Sequence, residues 1–431
     1  MPRPAGAGPR PARNTEPRES VPGMQIREGD PGTGPRNGRG HRGDDLRRLN
    51  TAAVMKHVFG HPGLSRSEIA AQLGLSAASV TNITSTLLDA GLLRAMPSPT
   101  GAQGRPRVPL EIGTSALVLG IHLGPRTAGV VLMGLDGVGQ ASVLVPHAGL
   151  GPAETIDLVV AAAHRLVAGH ARGRPLLGTG IATGGIVDRH AAEIIDNPGA
   201  GWHNVRVMEL LRGRLPSPVI VDNNARAAAQ SELLYGHGQR TNDFVLMVIT
   251  ADIGSVMVDD GRIRAGFSQT AGQIAHLRVS DRPVPCSCGK TGCLAVMASD
   301  DAVAVEARGR GLADVQNIDH VLELAGAQDP VAIEVLEQRN RYVGRAASQL
   351  IDIHDPELLV VAGTPAETPA VFAALVAEVA RRAHAGSGAA GRVVLSSDHV
   401  FSLSLFAAST MVDAVLDDPL GHALPEGLVN P

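Results

Sequence analysis

Residues 273–294 have the sequence QIAHLRVSDRPVPCSCGKTGCL. Four side chains in this segment are of metal-ligating types: His276, Cys286, Cys288 and Cys293. The chain has only 3 Cys, and an odd number of closely spaced thiols is typical of metal ligation rather than of disulfides. Three thiolates and one imidazole complete a tetrahedral Zn²⁺ site with no open position, and Gly289 and Gly292 allow the tight turns it requires. We therefore predict structural zinc; the alternative is three free cysteines beside an unrelated histidine.

The composition limits the class of protein. The chain has 431 residues, of which 44% are hydrophobic, 19% charged and 2% aromatic. This length predicts two or three domains, and the charged fraction is ordinary for a soluble globular protein. The sequence has no apolar run of about 18 residues, so we expect no membrane span. The arginines near the N-terminus precede no apolar segment, so we expect no secretory signal and a cytoplasmic protein.

Charge is unevenly distributed along the chain, whose net charge is −4. Residues 1–107 carry 15 Lys and Arg against 8 Asp and Glu, whereas the remainder is acidic. A basic N-terminal quarter predicts contact with a polyanion, and the alternative is a solubilising tail. Residues 1–43 are rich in Pro, Gly and Arg and have almost no apolar periodicity, so we predict a disordered basic tail there.

Apolar spacing and capping residues predict a first and a second helix after residue 44. The first helix ends near Gly60, and its spacing predicts a buried face made of Leu46, Leu49, Ala53, Val54 and Val58. Ser65 and Glu68 have the spacing of a capping box, which marks the start of the second helix. Gly74 then ends the second helix.

A third helix, from Ala77 to about Ala90, begins after a cap at Ser76 and precedes Leu92–Arg94, the first predicted strand of a wing. Its core-facing side is predicted to consist of Val80, Ile83 and Leu87. Its opposite side would face DNA bases and consists of Ala78, Thr81, Asn82 and Ser85. A helix-turn-helix places its second helix in the major groove, where Asn82 can pair with an adenine edge. The alternative is an ordinary three-helix bundle.

The third helix has no Lys or Arg, so contacts with phosphates must come from elsewhere. The candidates are Arg47, Arg48, Lys56, Arg66 and Arg94. After the wing comes Gly104-Arg105-Pro106-Arg107, a narrow extended segment whose Arg105 and Arg107 are predicted to enter an A·T-rich minor groove. The alternative is a plain interdomain linker. Residues 44–107 are therefore predicted to form a winged helix-turn-helix domain with a minor-groove linker.

After residue 108 the pattern is that of an α/β protein. Strands are predicted at 117–121, 129–133, 177–182, 219–221, 244–249, 358–362 and 393–395. Helices are predicted at 153–171, 302–312, 329–353 and 369–385, the second of them capped by Asp301. This order predicts two α/β lobes, residues 108–235 and 236–415, and a C-terminal tail of residues 416–431.

These motifs resemble the ROK family of repressors, open reading frames and kinases over about residues 44–415. The most specific match is His276 with the cysteine segment Cys286–Leu294. Gly180–Asp188, Trp202 and Val221–Ala227, which leads to Glu232, support it. The helix-turn-helix and the Gly-Arg-Pro segment resemble the regulator branch of the family. The resemblance implies an actin-like (RNase H-like) fold of two α/β lobes that close over a cleft.

The kinase branch of that family requires phosphate loops and a catalytic Asp that this chain lacks. In the first phosphate loop His122 replaces an Asp and Pro125 replaces a Gly. In the second loop Asp252 places a carboxylate where phosphates would bind, and later Gly363-Thr364 replaces a Gly-Gly pair. At the position of the catalytic base the chain has Asn224, whose amide cannot accept a proton from a sugar hydroxyl. We therefore expect no kinase activity.

The sugar-binding residues that the resemblance implies are also altered. Asn223 and His276 match the family pattern, whereas Asn224, Gln273 and Ala295 replace carboxylates. Amides make weaker hydrogen bonds to hydroxyls than carboxylates do. Asn223, Asn224, Gln273 and His276 are the candidate ligand-binding residues; the alternative is that they are relic polar side chains.

The sequence thus predicts a DNA-binding transcriptional regulator, of the repressor type, with double-stranded operator DNA as its partner. We expect a homodimer or homotetramer that responds to a sugar or sugar derivative. Two alternatives remain: a sugar kinase with an added DNA-binding domain, and a dimeric DNA-binding protein without an effector.

Overall fold

The computed structural model describes residues 40–97, 108–364, 369–397 and 403–422. Most of the predicted basic tail, the predicted minor-groove arginines Arg105 and Arg107, and residues 423–431 lie outside these ranges. The described residues from Asp45 onward belong to one compact unit. Among the described helices, none combines the length and the apolar character that a bilayer crossing requires.

The N-terminal domain consists of three helices and a small antiparallel sheet. Its elements are α1 (Gly40–Gly60), β1 (Leu64–Ser65), α2 (Arg66–Leu73), α3 (Ala77–Asp89), β2 (Leu93–Ala95) and β3 (Pro109–Ile112). Strand β3 pairs with β1 on one side and with β2 on the other, which gives the order β1-β3-β2. This is a winged helix-turn-helix, as the caps and glycines of the sequence predict.

The buried face of α1 differs from the prediction. Val54 and Val58 are fully buried, but Leu46 is 58% exposed and Leu49 is 68% exposed. The helix begins at Gly40, before the predicted boundary, and only residues of its second half join the core cluster of this domain. Periodicity identified the helix correctly, but the part of a helix that finds packing partners depends on the rest of the fold.

The first α/β lobe contains a five-stranded sheet and a small antiparallel sheet. Its elements are β4 (Leu117–Leu123), β5 (Thr127–Gly134), β6 (Gly139–Pro146), α4 (Pro152–His170), β7 (Leu176–Thr183), β8 (Ile186–Asp188), β9 (Glu193–Asn197), β10 (Trp202–Arg206), α5 (Val207–Leu211), β11 (Val219–Asn223) and α6 (Asn224–Tyr235). The large sheet has the order β11-β7-β4-β5-β6, and the small one β10-β9-β8. Strands β11, β7 and β4 are parallel, whereas β5 and β6 are antiparallel to their neighbours. Edge strand β6 was not predicted, because most of its residues are exposed and it has no buried apolar face.

The second lobe contains another five-stranded sheet, with the order β14-β13-β12-β15-β16. After a short 3₁₀ helix, the remaining elements of the chain are β12 (Phe244–Ile249), β13 (Ile253–Asp259), β14 (Arg262–Ile263), α7 (Leu294–Ala298), α8 (Asp300–Gly309), α9 (Ile318–Gly326), α10 (Pro330–His354), β15 (Leu358–Gly363), α11 (Pro369–Arg382), α12 (Ser387–Ala390), β16 (Val393–Leu395), α13 (Leu403–Asp417) and α14 (Pro419–His422). Helix α8 is capped by Ser299, whose Oγ accepts from the Ala302 N–H, and not by the predicted Asp301.

Helix α13 returns to the first lobe, although its residues fall in the range predicted for the second. It packs directly on two strands of the first sheet through Gly120 of β4 and Gly180 of β7. A Cβ on Gly180 would lie 1.9 Å from the Ala407 carbonyl oxygen, so only glycine permits this approach. The predicted C-terminal tail also begins in ordered structure, because Leu416 is buried in a core cluster that contains residues of both the N-terminal domain and the first lobe.

Candidate functional site

Helix α3 is held in place by caps on both sides of a tight turn. The Ser65 N–H donates to the Glu68 carboxylate, and the Ser76 Oγ accepts from the Ser79 N–H at 3.1 Å. Gly74 ends α2 in the left-handed region, with φ 65°. Gly74 and the Ser76 cap thus delimit the turn between α2 and α3, whereas the Ser65–Glu68 hydrogen bond caps the start of α2.

One side of α3 is buried and the other faces solvent, as the sequence predicts. Val80, Ile83 and Leu87 are buried, and the four residues predicted to meet DNA bases are all exposed: Ala78, Thr81, Asn82 and Ser85. The Thr81 hydroxyl donates to the Ala77 carbonyl at 2.7 Å and so turns back onto its own helix. Their contact with bases stays a prediction.

Most of the cations predicted to meet phosphates already have partners within the chain. The Arg66 Nε donates to the Thr84 hydroxyl at 2.9 Å, which braces α2 against α3. Arg94 pairs with Glu111 across the wing. The other two pairs join α1 to the C-terminal end of α13: Arg48 with Asp418, and Lys56 with Asp417. These exposed pairs contribute little stability each, so they leave the cations available to a stronger anion.

The structure brings the four predicted metal ligands together. The ligand atoms of His276, Cys286, Cys288 and Cys293 all lie within 4.8 Å of one another. The Cys286 Sγ is 3.4 Å from the His276 Nδ1, and the sulfurs of Cys288 and Cys293 are 3.6 Å apart. Two thiolates bound about 2.3 Å from one tetrahedral ion are separated by about 3.8 Å. The donor set and the spacing therefore fit a metal ion.

The segment that carries these cysteines is folded by two glycines in left-handed conformations. Gly289 has φ +81° and closes a turn in which its N–H donates to the Cys286 carbonyl. A Cβ on Gly292, φ +68°, would lie 2.0 Å from the Ser280 carbonyl oxygen. Burial and the neighbouring thiols raise the pKa of Cys293, and a bound metal ion would favour its thiolate form.

Two of the predicted ligand residues lie at the N-terminus of α6. Asn223 caps the helix: its Oδ1 accepts from the Ala225 N–H at 2.8 Å, and its Nδ2 donates to the Gly185 carbonyl at 2.7 Å. Asn224 is 8% exposed, and its Nδ2 is 3.5 Å from the His122 Nε2. The Asn224 Oδ1 is buried with no hydrogen-bond partner among the described residues. A buried acceptor of this kind is a natural partner for a ligand hydroxyl.

The other two predicted ligand residues have different surroundings. Gln273 is exposed. His276 lies in the cysteine cluster, with its Nδ1 directed at the Cys286 Sγ. His122, beside Asn224, is neutral near pH 7, because burial and then the nearby His147 lower its pKa to about 4.

A buried ion pair next to Asn223 and Asn224 was missed by the sequence analysis. The Arg226 Nε donates to the Asp222 carboxylate at 2.5 Å, and its terminal nitrogens donate to the carbonyls of Val187 and Gln269, each at 3.0 Å. Val187 belongs to the first lobe and Gln269 to the second, so Arg226 connects the two lobes. Both residues lie in the motif Val221–Ala227, but helical spacing could not reveal the pair because Asp222 ends up in β11 and Arg226 in α6.

The carboxylates of Asp252, Asp300 and Asp301 lie near one another. A Cβ on Gly184 would lie 2.0 Å from the Asp252 Oδ2, so this carboxylate lies directly against the first lobe. Loss of hydration and the negative charge of Asp301 raise the pKa of Asp252. Asp300 accepts from Arg339 at 2.7 Å and from the Thr364 hydroxyl at 2.6 Å. Only Asp252 and Thr364 were singled out from the sequence; Asp300 and Arg339 have no local signal.

Comparison with known proteins gives matches for both parts of the chain. The model of the ROK family matches residues 118–411, and that of the IclR helix-turn-helix domain matches residues 49–97. The DNA-binding transcriptional dual regulator NagC of Escherichia coli K12 is 26% identical over 339 residues, which cover 76% of this chain and 84% of NagC. The xylose repressor of Bacillus spizizenii is 22% identical over 380 residues, covering 86% of this chain and 97% of the repressor.

A solved structure matches nearly the whole chain. It is that of a ROK family transcriptional regulator described as a homolog of the E. coli MLC protein. The TM-score is 0.75 at 23% identity, and the match covers 89% of this chain and 100% of the other. At this identity the match supports the fold alone, a two-lobed body with an N-terminal helix-turn-helix.

Proposed function

The chain belongs to the ROK family, and on this premise we propose that it is a DNA-binding transcriptional regulator of the repressor type, without kinase activity. The observation that carries the proposal is the pair of capped helices α2 and α3, whose outer face is polar and exposed, joined to a ROK body. Two relatives with matching regions are a transcriptional regulator and a repressor by name, which supports the same function. Such a protein acts in the bacterial cytoplasm, where its DNA is.

DNA recognition on this proposal has three parts. The exposed amide of Asn82 pairs with a base edge in the major groove, and Thr81, Ala78 and Ser85 contact neighbouring bases. Arg66 and the other cations near α3 neutralise phosphates, which supplies affinity without sequence preference. Arg105 and Arg107 add minor-groove contacts.

We propose that the metal is Zn²⁺, held by His276, Cys286, Cys288 and Cys293. When bound, zinc would supply a structural cross-link with no open coordination position, and no reaction at the metal is expected. The cluster joins the segment after Gln273 to the start of α7, which begins directly after Cys293. The metal would therefore fix the loop that borders the ligand cleft.

We propose that the cleft binds a sugar or sugar derivative as an effector. The name of the xylose repressor points to such a ligand for that protein. Here the buried Asn224 Oδ1 would accept from a hydroxyl, and we propose Asn223, Gln273 and His276 as further ligand contacts on the resemblance to the family. An amide in place of a carboxylate binds the hydroxyl without taking its proton.

The same features argue against phosphoryl transfer. Asn224 cannot act as the base, and Asp252 with Asp300 and Asp301 would repel the phosphates of ATP. A sugar kinase with an added DNA-binding domain is the competing function, and an effector-independent DNA-binding protein is a third. We propose that the ROK body forms a homodimer or a homotetramer that sets the spacing of two helix-turn-helix units.

The test is selection of duplexes from a random pool by the full-length protein, followed by affinity measurements at fixed salt. We expect an enriched sequence with two-fold symmetry. Asn82→Ala should lower the affinity about tenfold or more and relax the preference at one base pair per half-site. The exposed Gln140 of β6 provides a matched control, Gln140→Ala, which should bind as the wild type does.

Two results would overturn the proposal. One is uniform weak binding to every duplex, with no sequence enriched. The other is ATP consumption in the presence of a hexose or N-acetylhexosamine, measured in a coupled assay with the same preparation.

A further inference from the structure

We propose that helix α6 transmits the state of the ligand cleft to the DNA-binding domain through the contact of Tyr235 with Phe59. This inference rests on the proposed function, because it concerns how the cleft regulates DNA binding. The helix has 12 residues, Asn224–Tyr235, and so spans about 18 Å. One end carries the candidate ligand residues, and the other touches α1.

The N-terminal end of α6 senses the cleft. Asn223 caps it and holds the Gly185 carbonyl, and Asn224 presents its buried Oδ1. In the first turn, Arg226 donates to Val187 of the first lobe and Gln269 of the second. A ligand that changes the separation of the lobes must therefore pull on this turn or break its hydrogen bonds.

The Gln269 side chain provides a second connection between the lobes. Its Oε1 accepts from the Arg189 N–H at 3.0 Å, and its Nε2 donates to the Asp188 carboxylate at 3.1 Å. The loop of the second lobe thus holds both α6 and the end of β8. Motion of this loop is transferred to α6 rather than absorbed by one flexible side chain.

The C-terminal end of α6 contacts the DNA-binding domain. The Tyr235 and Phe59 rings have centroids 5.7 Å apart and are tilted by 59°. The Tyr235 hydroxyl donates to the Leu135 carbonyl at 3.1 Å. A Cβ on Gly137 would lie 2.8 Å from the Tyr235 ring, so the β5–β6 turn holds the ring closely from another side. The ring cannot move without displacing Phe59 or this turn.

The position of Phe59 allows a movement of the Tyr235 ring to be transmitted to α3. Phe59 is the penultimate residue of α1 and packs against the same core cluster as Ile69 of α2 and Leu87 of α3. Packed helices shift as units by about 1–2 Å. Movement of α6 therefore changes the packing of the helix-turn-helix against this cluster.

Hydrogen exchange of the full-length protein tests the connection without any ligand. Asn224→Ala alters the cleft end of α6, and we expect it to change the exchange of α1 amides at residues 55–60 by about fivefold. Phe59→Leu keeps an apolar side chain but removes the aromatic contact. The double variant should therefore show no effect of Asn224→Ala on α1 beyond that of Phe59→Leu alone.

Phe372→Leu is the matched control, because Phe372 is also a partly buried phenylalanine but packs in the core of the second lobe. In the Phe372→Leu variant, Asn224→Ala should still change the hydrogen exchange of the α1 amides. If Asn224→Ala fails to fold, Asn224→Asp serves in its place. Unchanged exchange in α1, or a response that persists in Phe59→Leu, overturns the inference.

A second arm uses operator DNA selected from the random pool. By reciprocity, the operator should change exchange at residues 224–228 in the wild type and not in Phe59→Leu. If no sequence is selected, the proposed function fails while the ligand-free arm still decides the connection. If an operator is found but neither arm shows communication, only the inference about α6 fails.

Discussion

The resemblance to the ROK family implies a carboxylate at the positions of Asn224, Gln273 and Ala295, and on the proposed function these three residues determine the chemistry of the ligand site. The Asn224 amide is nearly the same size as an Asp carboxylate and still forms hydrogen bonds. It carries no negative charge, however, and it does not take up a proton. The structure adds that its Oδ1 is buried without a partner among the described residues and that its neighbour His122 is neutral near pH 7. On the proposed function, this site therefore binds a ligand without transferring its proton.

At the scale of a residue, the metal site yields a direct prediction. Cys288→Ser should lower metal affinity by more than about 100-fold, because even changes to groups behind the ligands cost about 10–100-fold. Metal content after dialysis, measured by mass spectrometry, checks this. Ser287→Ala is the control, since Ser287 is an exposed neighbour that is no ligand, and it should keep the metal. Wild-type protein without stoichiometric metal would contradict the zinc assignment.

His122 gives a prediction about pH. Burial and then the charge of His147 lower its pKa from 6.5 to about 4, so the folded state binds fewer protons than the unfolded state between these values. Stability that is present above pH 6.5 is therefore lost as pH falls toward 4. Urea unfolding at pH 7 and pH 5 should show a larger loss for the wild type than for His122→Leu. Parallel losses in the two proteins would show that His122 is not the group responsible.

Among the secondary-structure elements, α13 shows how a helix can be positioned by glycines far away in sequence. Gly120 and Gly180 let its backbone lie directly on β4 and β7. The helix also packs on α6, and its buried residues belong to a core cluster that contains residues of both the first lobe and the DNA-binding domain. One element near the C-terminus thus joins the first lobe to the N-terminal domain.

Gly180→Ala tests this packing. The added Cβ would lie 1.9 Å from the backbone oxygen of Ala407, so the helix must move, and we expect a loss of about 1–3 kcal/mol or more in unfolding free energy. Gly169→Ala in α4 is the matched control, because a Cβ there meets nothing within 4 Å. It should be neutral or stabilising by up to about 1 kcal/mol. Equal unfolding free energies for the two variants would mean that the α13 contact is looser than described.

At the scale of the whole molecule, we propose that the ROK domains of a dimer hold the two DNA-binding domains at a fixed spacing. A rigid dimer must meet half-sites on one face of the duplex, about 10.5 base pairs per turn apart or a multiple of this. Inserting five base pairs between the half-sites should therefore weaken binding more than inserting ten. Affinities measured for the two DNAs and for a single half-site would show whether the two DNA-binding domains are held at a fixed spacing. Equal binding to all three would indicate independent monomers and remove the proposed role of the body.

The sequence alone determined the features that depend on near neighbours. The three cysteines within a short segment, the caps at Ser65 and Ser76, and the glycine turns require only local backbone geometry, so residue type and spacing predicted them. Strands β4, β7 and β12 were predicted because strands buried on both faces form apolar runs. The resemblance to the ROK family supplied the two-lobed fold.

The tertiary structure alone decided what depends on contacts between distant segments. Leu46 and Leu49 have helical spacing, yet both are exposed because only the second half of α1 finds partners. The return of α13 to the first lobe and the connection of the lobes through Arg226 leave no periodic signal, since their partners lie far away in sequence. Periodicity reports that a face is apolar, whereas the surface that covers it is selected only when the whole chain packs.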